Sequence, residues 1–238
     1  MDSKIPTDQR AEDEQPFVPP SVEDHDVETN LEWNRQRWGQ RDGWRGHDQF
    51  GYRWGRGTQQ TVGQIARFAD DFFRPHTDGR YDLRILELAP GAGRFTAELL
   101  RYASTMCIVD LNPASLEVCR ERFSFVPTPI SYGLTDGRSF DNVPAGSEWD
   151  VVACFDSMVH MHPDVIHRYV AALPTVLAPP GFAWLDHSGK GRREAGHRTA
   201  MTAELMVEFA EAAGLSIVSQ IYRNDWDCVS VLRHTGQA

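Results

Sequence analysis

Apolar positions in this chain fall into short continuous runs separated by stretches of helical spacing. The runs lie at Arg84–Leu88, Met106–Asp110, Pro129–Ser131, Val151–Phe155, Phe182–His187, Ser216–Ile221 and Cys228–Arg233. Runs this short, bounded by glycine, proline or acids, predict strands buried on both faces. Helical spacing predicts Val27–Gly39, then Thr58–Arg74 with Ile65, Phe68, Ala69 and Phe72 on one face. Further helices are expected at Arg94–Tyr102, Ala114–Phe123, Pro163–Ala178 and Thr202–Ala213, with a short one at Asp141–Val143. Helices separate the first five strands, as in a parallel sheet covered on both faces. Only Tyr222–Asp227 separates the last two, which suits an antiparallel final pair. The expected class is α/β, with a seven-stranded, mostly parallel sheet.

The first strand carries the most chemistry. It ends in an acid, Glu87, followed by the turn Ala89-Pro-Gly91-Ala-Gly93 and the helical pattern Phe95–Arg101. Glycines let a ligand approach the backbone, and a helix start offers unpaired N–H groups. A nucleotide-phosphate loop would end in Gly-Lys-Ser/Thr, whereas Arg94-Phe-Thr96 stands here. The dinucleotide fingerprint wants a third small residue, and Thr96 fits it poorly. A cofactor without phosphates but with a charged amino-acid moiety fits better, its ammonium facing the acid and its carboxylate the N–H groups. The strand Met106–Asp110 ends in a second acid 17 residues beyond Gly93 (110 − 93), near the separation at which an acid reaches a ribose hydroxyl. Asn112 and Pro113 then read as N-cap and first helical residue. The plainer reading is a βαβ unit with Asp110 solvated at a strand end.

Taken in order, these motifs resemble the class I S-adenosylmethionine-dependent methyltransferases. Glu87-Leu-Ala-Pro-Gly-Ala-Gly93 is similar to their first motif, and Asp110 to their ribose-binding acid. The turn Thr135-Asp136-Gly137 resembles their adenine-lining segment, and Trp149–Asp156 their fourth strand, whose end faces donor and acceptor. The resemblance implies a Rossmann-like fold with an N-terminal helical and aromatic lid, and S-adenosyl-L-methionine as cofactor. It implies cofactor contacts from Trp54, Glu87, Ala89, Gly91, Gly93, Asp110, Leu111, Asp136, Gly137 and Phe155. The C-terminal pattern Met201–Ala210, Ala213-Gly-Leu, Ser219-Gln and Asp227–Arg233 is similar to antibiotic-pathway enzymes that methylate sugars and aminoglycosides, such as gentamicin-type aminoglycoside N-methyltransferases.

Length and charge narrow the picture. The 238 residues, 41% hydrophobic, support one sizeable domain with an N-terminal extension. The implied division is an acidic disordered tail over 1–26, a helical lid over 27–80 and the cofactor-binding domain over 81–238. Residues 1–26 carry eight acids against Lys4 and Arg10, hence −6 of the −10 total. The net charge argues against nucleic acid as a partner. No run of 18 apolar residues or leader pattern is visible, so no membrane association and a cytoplasmic location are expected. Cys107, Cys119, Cys154 and Cys228 lack a C-x-x-C spacing and read as buried thiols. A monomer or homodimer is expected.

Four of the seven tryptophans fall within the 22 residues from Trp33 to Trp54, interleaved with Arg37, Arg41, Arg45 and Arg53. They read partly as staples onto the core and partly as a cover for the site, with Trp33, Tyr52 and Trp54 as the site candidates. Ligands of open α/β sheets lie beyond the strand C-termini, which gathers Asp156, His160 and His187 as candidate bases or acceptor contacts. Each has a structural alternative: Asp156 as a helix cap, His160 or His162 as a packing histidine, His187 as a hydrogen-bonded strand residue. His197, in the Gly189–Arg198 stretch, is a further acceptor candidate. No tight ligand spacing is present, so no metal is expected. The expected activity is methylation of an amino group on a small cationic aminoglycoside or amino sugar. Sugar O-methylation is the alternative, and a catalytically silent cofactor-binding regulator the rival of another class.

Overall fold

The computed structural model describes residues 26–39, 62–144, 148–191 and 198–236. Seven strands are present: β1 (Leu83–Leu88), β2 (Ala103–Asp110), β3 (Ile130–Leu134), β4 (Trp149–Cys154), β5 (Leu177–Ser188), β6 (Leu215–Tyr222) and β7 (Asp227–His234). They form one sheet in the order β3-β2-β1-β4-β5-β7-β6. β1 pairs in parallel with both β2 and β4, and only β7 runs antiparallel to its neighbours β5 and β6. The winding reverses between β1 and β4, where an open α/β sheet leaves its ligand crevice.

Continuous apolar strands produce this architecture because both faces of the sheet are covered. Residues alternate between faces along each strand. Leu86, Leu88, Val109, Val152 and Leu185 face one core, under α5 (Pro163–Val176) and α6 (Ala203–Ala212). Ile85, Ile108, Val151, Ala153 and Trp184 face the other, with Ile65, Phe73 and Phe95. Two more described helices concern the site: α1 (Val27–Trp38) and α4 (Pro113–Arg122).

Departures from the expected elements have local causes. The expected Thr58–Arg74 helix begins outside the described residues; from Val62 it is α2 over Val62–Phe68, a π turn over Ala69–Phe73 and a 3-10 turn over Arg74–His76. Phe73 is fully buried here, and the Phe72 carbonyl accepts the Trp184 indole N–H at 3.0 Å; packing sets the pitch, and Pro75 cannot donate to continue it. The helix expected over Arg94–Tyr102 shrinks to α3 (Thr96–Leu99), because β2 begins at Ala103, three residues early. β5 likewise begins at Leu177, where Trp149 of β4 pairs with it. Asp141–Val143 forms a turn instead of a helix. Among the described residues, no helix is long and apolar enough to cross a membrane.

Candidate active site

A cleft of about 920 Å³, counting its solvent-filled mouth, opens at the C-terminal ends of β1, β2 and β4. Glu87, Ala89, Gly91, Asp110, Leu111 and Gly137 line its first half. Ala89 and Gly91 adopt left-handed conformations, with φ of 55° and 58°, so the turn leaves β1 tightly and the backbone itself forms the wall. Ala89 is unusual there, because its Cβ makes this region costly.

Both acids are buried. Burial pushes the Glu87 carboxyl up to about 8, against the Thr96 hydroxyl that donates to it at 2.6 Å. Asp110 is pushed up to about 7, again by burial, while backbone N–H groups of Asn112, Gly91 and Leu111 pull the other way. Two buried carboxyls flanking a glycine turn form a site that gains from a cationic, hydroxyl-rich ligand. Such a ligand would reverse what burial has done to them.

The second half of the cleft is built from the end of β4. Phe155 stacks on Phe95 at 4.7 Å and lines the wall. Asp156 follows with φ 53°, its N–H donating to Asp186 at 2.9 Å. Its carboxylate accepts from Arg94 at 2.8 Å through one oxygen and from Arg223 through the other. Burial alone would raise this acid, but Arg223 and then Arg94 outweigh it and hold it well below the usual carboxylate range. Ser157 donates to the Ala89 carbonyl at 2.8 Å and so ties the β4 end to the glycine turn. The His160 ring packs on Trp38 at 5.2 Å and Trp33 at 6.0 Å. The His160 carbonyl is held by Asn30 at 3.0 Å and Asn34 at 3.2 Å.

The structure thus brings together Glu87, Ala89, Gly91, Asp110, Leu111, Gly137, Phe155, Asp156 and His160 around one cleft. Several candidates fall elsewhere. His187 is fully buried between Ser188, whose carbonyl lies 2.8 Å from Nδ1, and Ser230, whose hydroxyl lies 2.7 Å from Nε2. Burial lowers its pKa to about 4. It is outside the cleft, so the structural alternative describes it and the base role does not. Asp156 keeps its place, but both of its oxygens are engaged by guanidiniums that make it a weak base, which disfavours it as proton acceptor. Gly93 stands behind the wall: a Cβ there would lie 2.5 Å from the Phe123 ring, so helix packing requires this glycine. Asp136 caps its own turn by accepting from the N–H groups of Arg138 and Ser139, and Thr135 lines the cleft in its stead. Trp38 takes the lining position proposed for Trp33, which packs behind it. His162 accepts from the Asp164 N–H and caps α5. Trp54, Tyr52 and His197 lie outside the described residues.

Sequence reasoning missed Thr96, Arg94, Arg223 and the pair Asn30 and Asn34. The asparagines had a signal, two amides spaced i, i+4 on a helix of few apolar residues. Arg223 had little, because only Asp227 among its partners is near in the chain, while Asp156 and Asp186 are 67 and 37 residues away.

Comparison with known proteins agrees with this geometry. Residues 85–181 match the family model of the methyltransferase domain, from the middle of β1 into β5. The N-methyltransferase NodS from Bradyrhizobium japonicum, solved with S-adenosyl-L-homocysteine, is 19% identical; the match covers 87% of this chain and 99% of NodS, with a TM-score of 0.60. CalS10, an amino pentose methyltransferase from Micromonospora echinaspora involved in calicheamicin biosynthesis, is 19% identical over 75% of this chain and 93% of its own, with a TM-score of 0.56. The [4+2]-cyclase SpnF is 15% identical over 76% and 83%, with a TM-score of 0.59. No curated protein matches in sequence. At these identities the structural likeness is one of fold, and SpnF makes plain that the fold alone does not choose the chemistry.

Proposed function

We propose that the protein is an S-adenosylmethionine-dependent methyltransferase that acts on an amino group of an amino sugar or aminoglycoside-type natural product. The observation that carries the cofactor half is the pair of buried acids, Glu87 and Asp110, flanking Gly91. Glu87 would face the ammonium group and Asp110 the ribose hydroxyls, with Gly137 and Leu111 against the adenine. When bound, this cofactor supplies an electrophilic methyl group on a sulfonium. The chain must then align an acceptor lone pair behind that methyl and exclude water, which is mostly a matter of positioning. Methylation of an amine leaves a proton to be lost, and His160, at the cleft wall beside Asp156, is the group placed to take it.

The amine reading draws support from NodS, named an N-methyltransferase, and from CalS10, named a methyltransferase of an amino pentose. One observation favours sugar O-methylation as the second reading: both Asp156 oxygens are engaged by arginines, so this carboxylate is no ready counter-ion for an ammonium. Two measurements test the proposal. Titration with S-adenosylhomocysteine should give binding that Asp110→Ala weakens by about 1.5–3 kcal/mol. Mass spectrometry after incubation with amino sugars and matched neutral sugars should find the added methyl on the amino compounds. No binding at all would sink the cofactor assignment, and transfer only to neutral sugars would move the acceptor to oxygen.

A further inference from the structure

The β6–β7 turn reaches the methyl-transfer end of the cleft through one buried side chain. Arg223 follows β6 directly, and its guanidinium is 7% exposed. Its Nε donates to Asp186 at 3.0 Å, and its Nη2 contacts Asp227 at 3.0 Å and one oxygen of Asp156. Arg94, from the glycine turn, holds the other Asp156 oxygen. Arg198 closes the far end with two contacts of 2.7 Å to Asp227. Three arginines and three acids therefore alternate from the cofactor turn, across the end of β4, to the hairpin at the sheet edge.

Asp156 links Arg94 to Arg223, and it is held in an uncommon backbone state. A non-glycine residue at φ 53° costs free energy unless its surroundings over-determine it. Three restraints do so here: the N–H to Asp186, one oxygen to Arg94 and the other to Arg223. Two of the three run through Arg223, which binds Asp186 as well as Asp156. A left-handed residue at this point decides how the chain leaves β4, and thereby where Ser157 and His160 stand relative to Ala89.

We propose that Arg223 is a positioning residue for methyl transfer: by clamping Asp156 against Asp186 it fixes the backbone at the end of β4, and so the acceptor, in line with the methyl donor. Arg223 is not among the residues lining the cleft. Asp156 on this account is a strut and not a base. The inference rests on the methyltransferase reading for its turnover assay, while the ion pairs themselves are independent of it.

The test uses Arg223→Lys, which keeps the charge but cannot reach three carboxylates with one planar fork. Turnover should fall roughly 100-fold, the scale of a misplacement of about 1 Å. The acceptor Michaelis constant and S-adenosylhomocysteine affinity should stay within about threefold of wild type. The variant's rate should also gain a second acid limb beyond the one that a histidine base gives wild type, because Asp156 released from Arg223 takes up a proton as pH falls. Arg223→Ala should regain turnover when guanidinium is added; should that variant not fold, the lysine variant decides alone. Turnover of Arg223→Lys near wild type overturns the proposal. So does a fall in S-adenosylhomocysteine affinity proportional to the fall in rate, which marks a merely structural part. Failure of wild type itself to bind S-adenosylhomocysteine would instead strike the methyltransferase reading.

Discussion

Glu87 and Asp110 sit buried at the two strand ends that hold the glycine turn, and their titration makes the ligand-free site measurable. In the unfolded chain Glu87 titrates near its ordinary 4.5, but in the folded protein near 8. The folded state thus binds more protons across this window, so stability falls as pH rises through it and levels off above. His187 acts oppositely: its ordinary 6.5 drops to about 4 on folding, so its contribution is full above 6.5 and lost toward 4. The two overlap below pH 6.5 and separate above it. Between about pH 6.5 and 8 the melting temperature of the ligand-free protein should therefore decline, and Glu87→Gln should flatten that decline. An unchanged slope in the variant would mean that Glu87 is ionised without ligand. His187→Ala should lower stability by about 1–3 kcal/mol, the cost of leaving buried partners unpaired. Its turnover per folded molecule should stay at the wild-type value; a large loss of rate at full folding would return His187 to the chemistry. Both acids and Gly91 were legible in the sequence because position along a βαβ unit places them. The role of Arg94 and Arg223 was not, since ion pairing across 62 and 67 residues leaves no local pattern.

At the scale of elements, α1 deserves a test of its own because so little of it is core. Only Asn30 and Leu31 are buried among its residues. Asp26 caps it through the Thr29 N–H at 2.8 Å, and Glu28 pairs with Arg138 beside the Gly137 turn. The Leu31 side chain would lie 2.7 Å from a Cβ placed on Gly137, so helix and turn meet closely there. With Asn30 and Asn34 on the His160 carbonyl, α1 touches the rims of the cleft after β3 and β4. Deleting residues 1–24 keeps the Asp26 cap, and turnover should stay as it was. Deleting residues 1–39 should weaken S-adenosylhomocysteine binding at least about tenfold, the worth of one or two such contacts, while the rest still melts cooperatively. Retained affinity after the longer deletion would make α1 an ornament of the fold. The central strands were readable because both of their faces are apolar, whereas the edge strands β3 and β6 are mostly half-buried or exposed instead of buried on both faces as expected; the antiparallel end followed from its short connection. The π turn and the shortened α3 were not readable, since tertiary packing of Phe73 and the early start of β2 set them.

Charge acts on the whole molecule. The chain carries −10, of which −6 lies in residues 1–26. At the methyl-transfer end of the site, Asp156, Asp186 and Asp227 are matched by Arg94, Arg198 and Arg223, so none of these three acids is left to hold a cationic acceptor. Attraction of an ammonium must then come from the summed negative field, which works over distance and is screened by salt. This changes where a cationic preference should appear. For a polycationic aminoglycoside, kcat/KM should fall several-fold, on the order of tenfold, as salt shortens the Debye length from about 30 Å at 0.01 M to about 8 Å at 0.15 M. The rate at saturating acceptor should not move, because the chemistry sits beside a neutralised cluster. A neutral sugar should lose nothing over the same range. Asp156→Asn should depress turnover for both acceptors alike and leave the salt slope intact, as befits a strut and not a counter-ion. Steady-state kinetics on the two acceptors at two salt concentrations decides it: a salt-independent enzyme that prefers the neutral sugar leaves O-methylation as the standing reading.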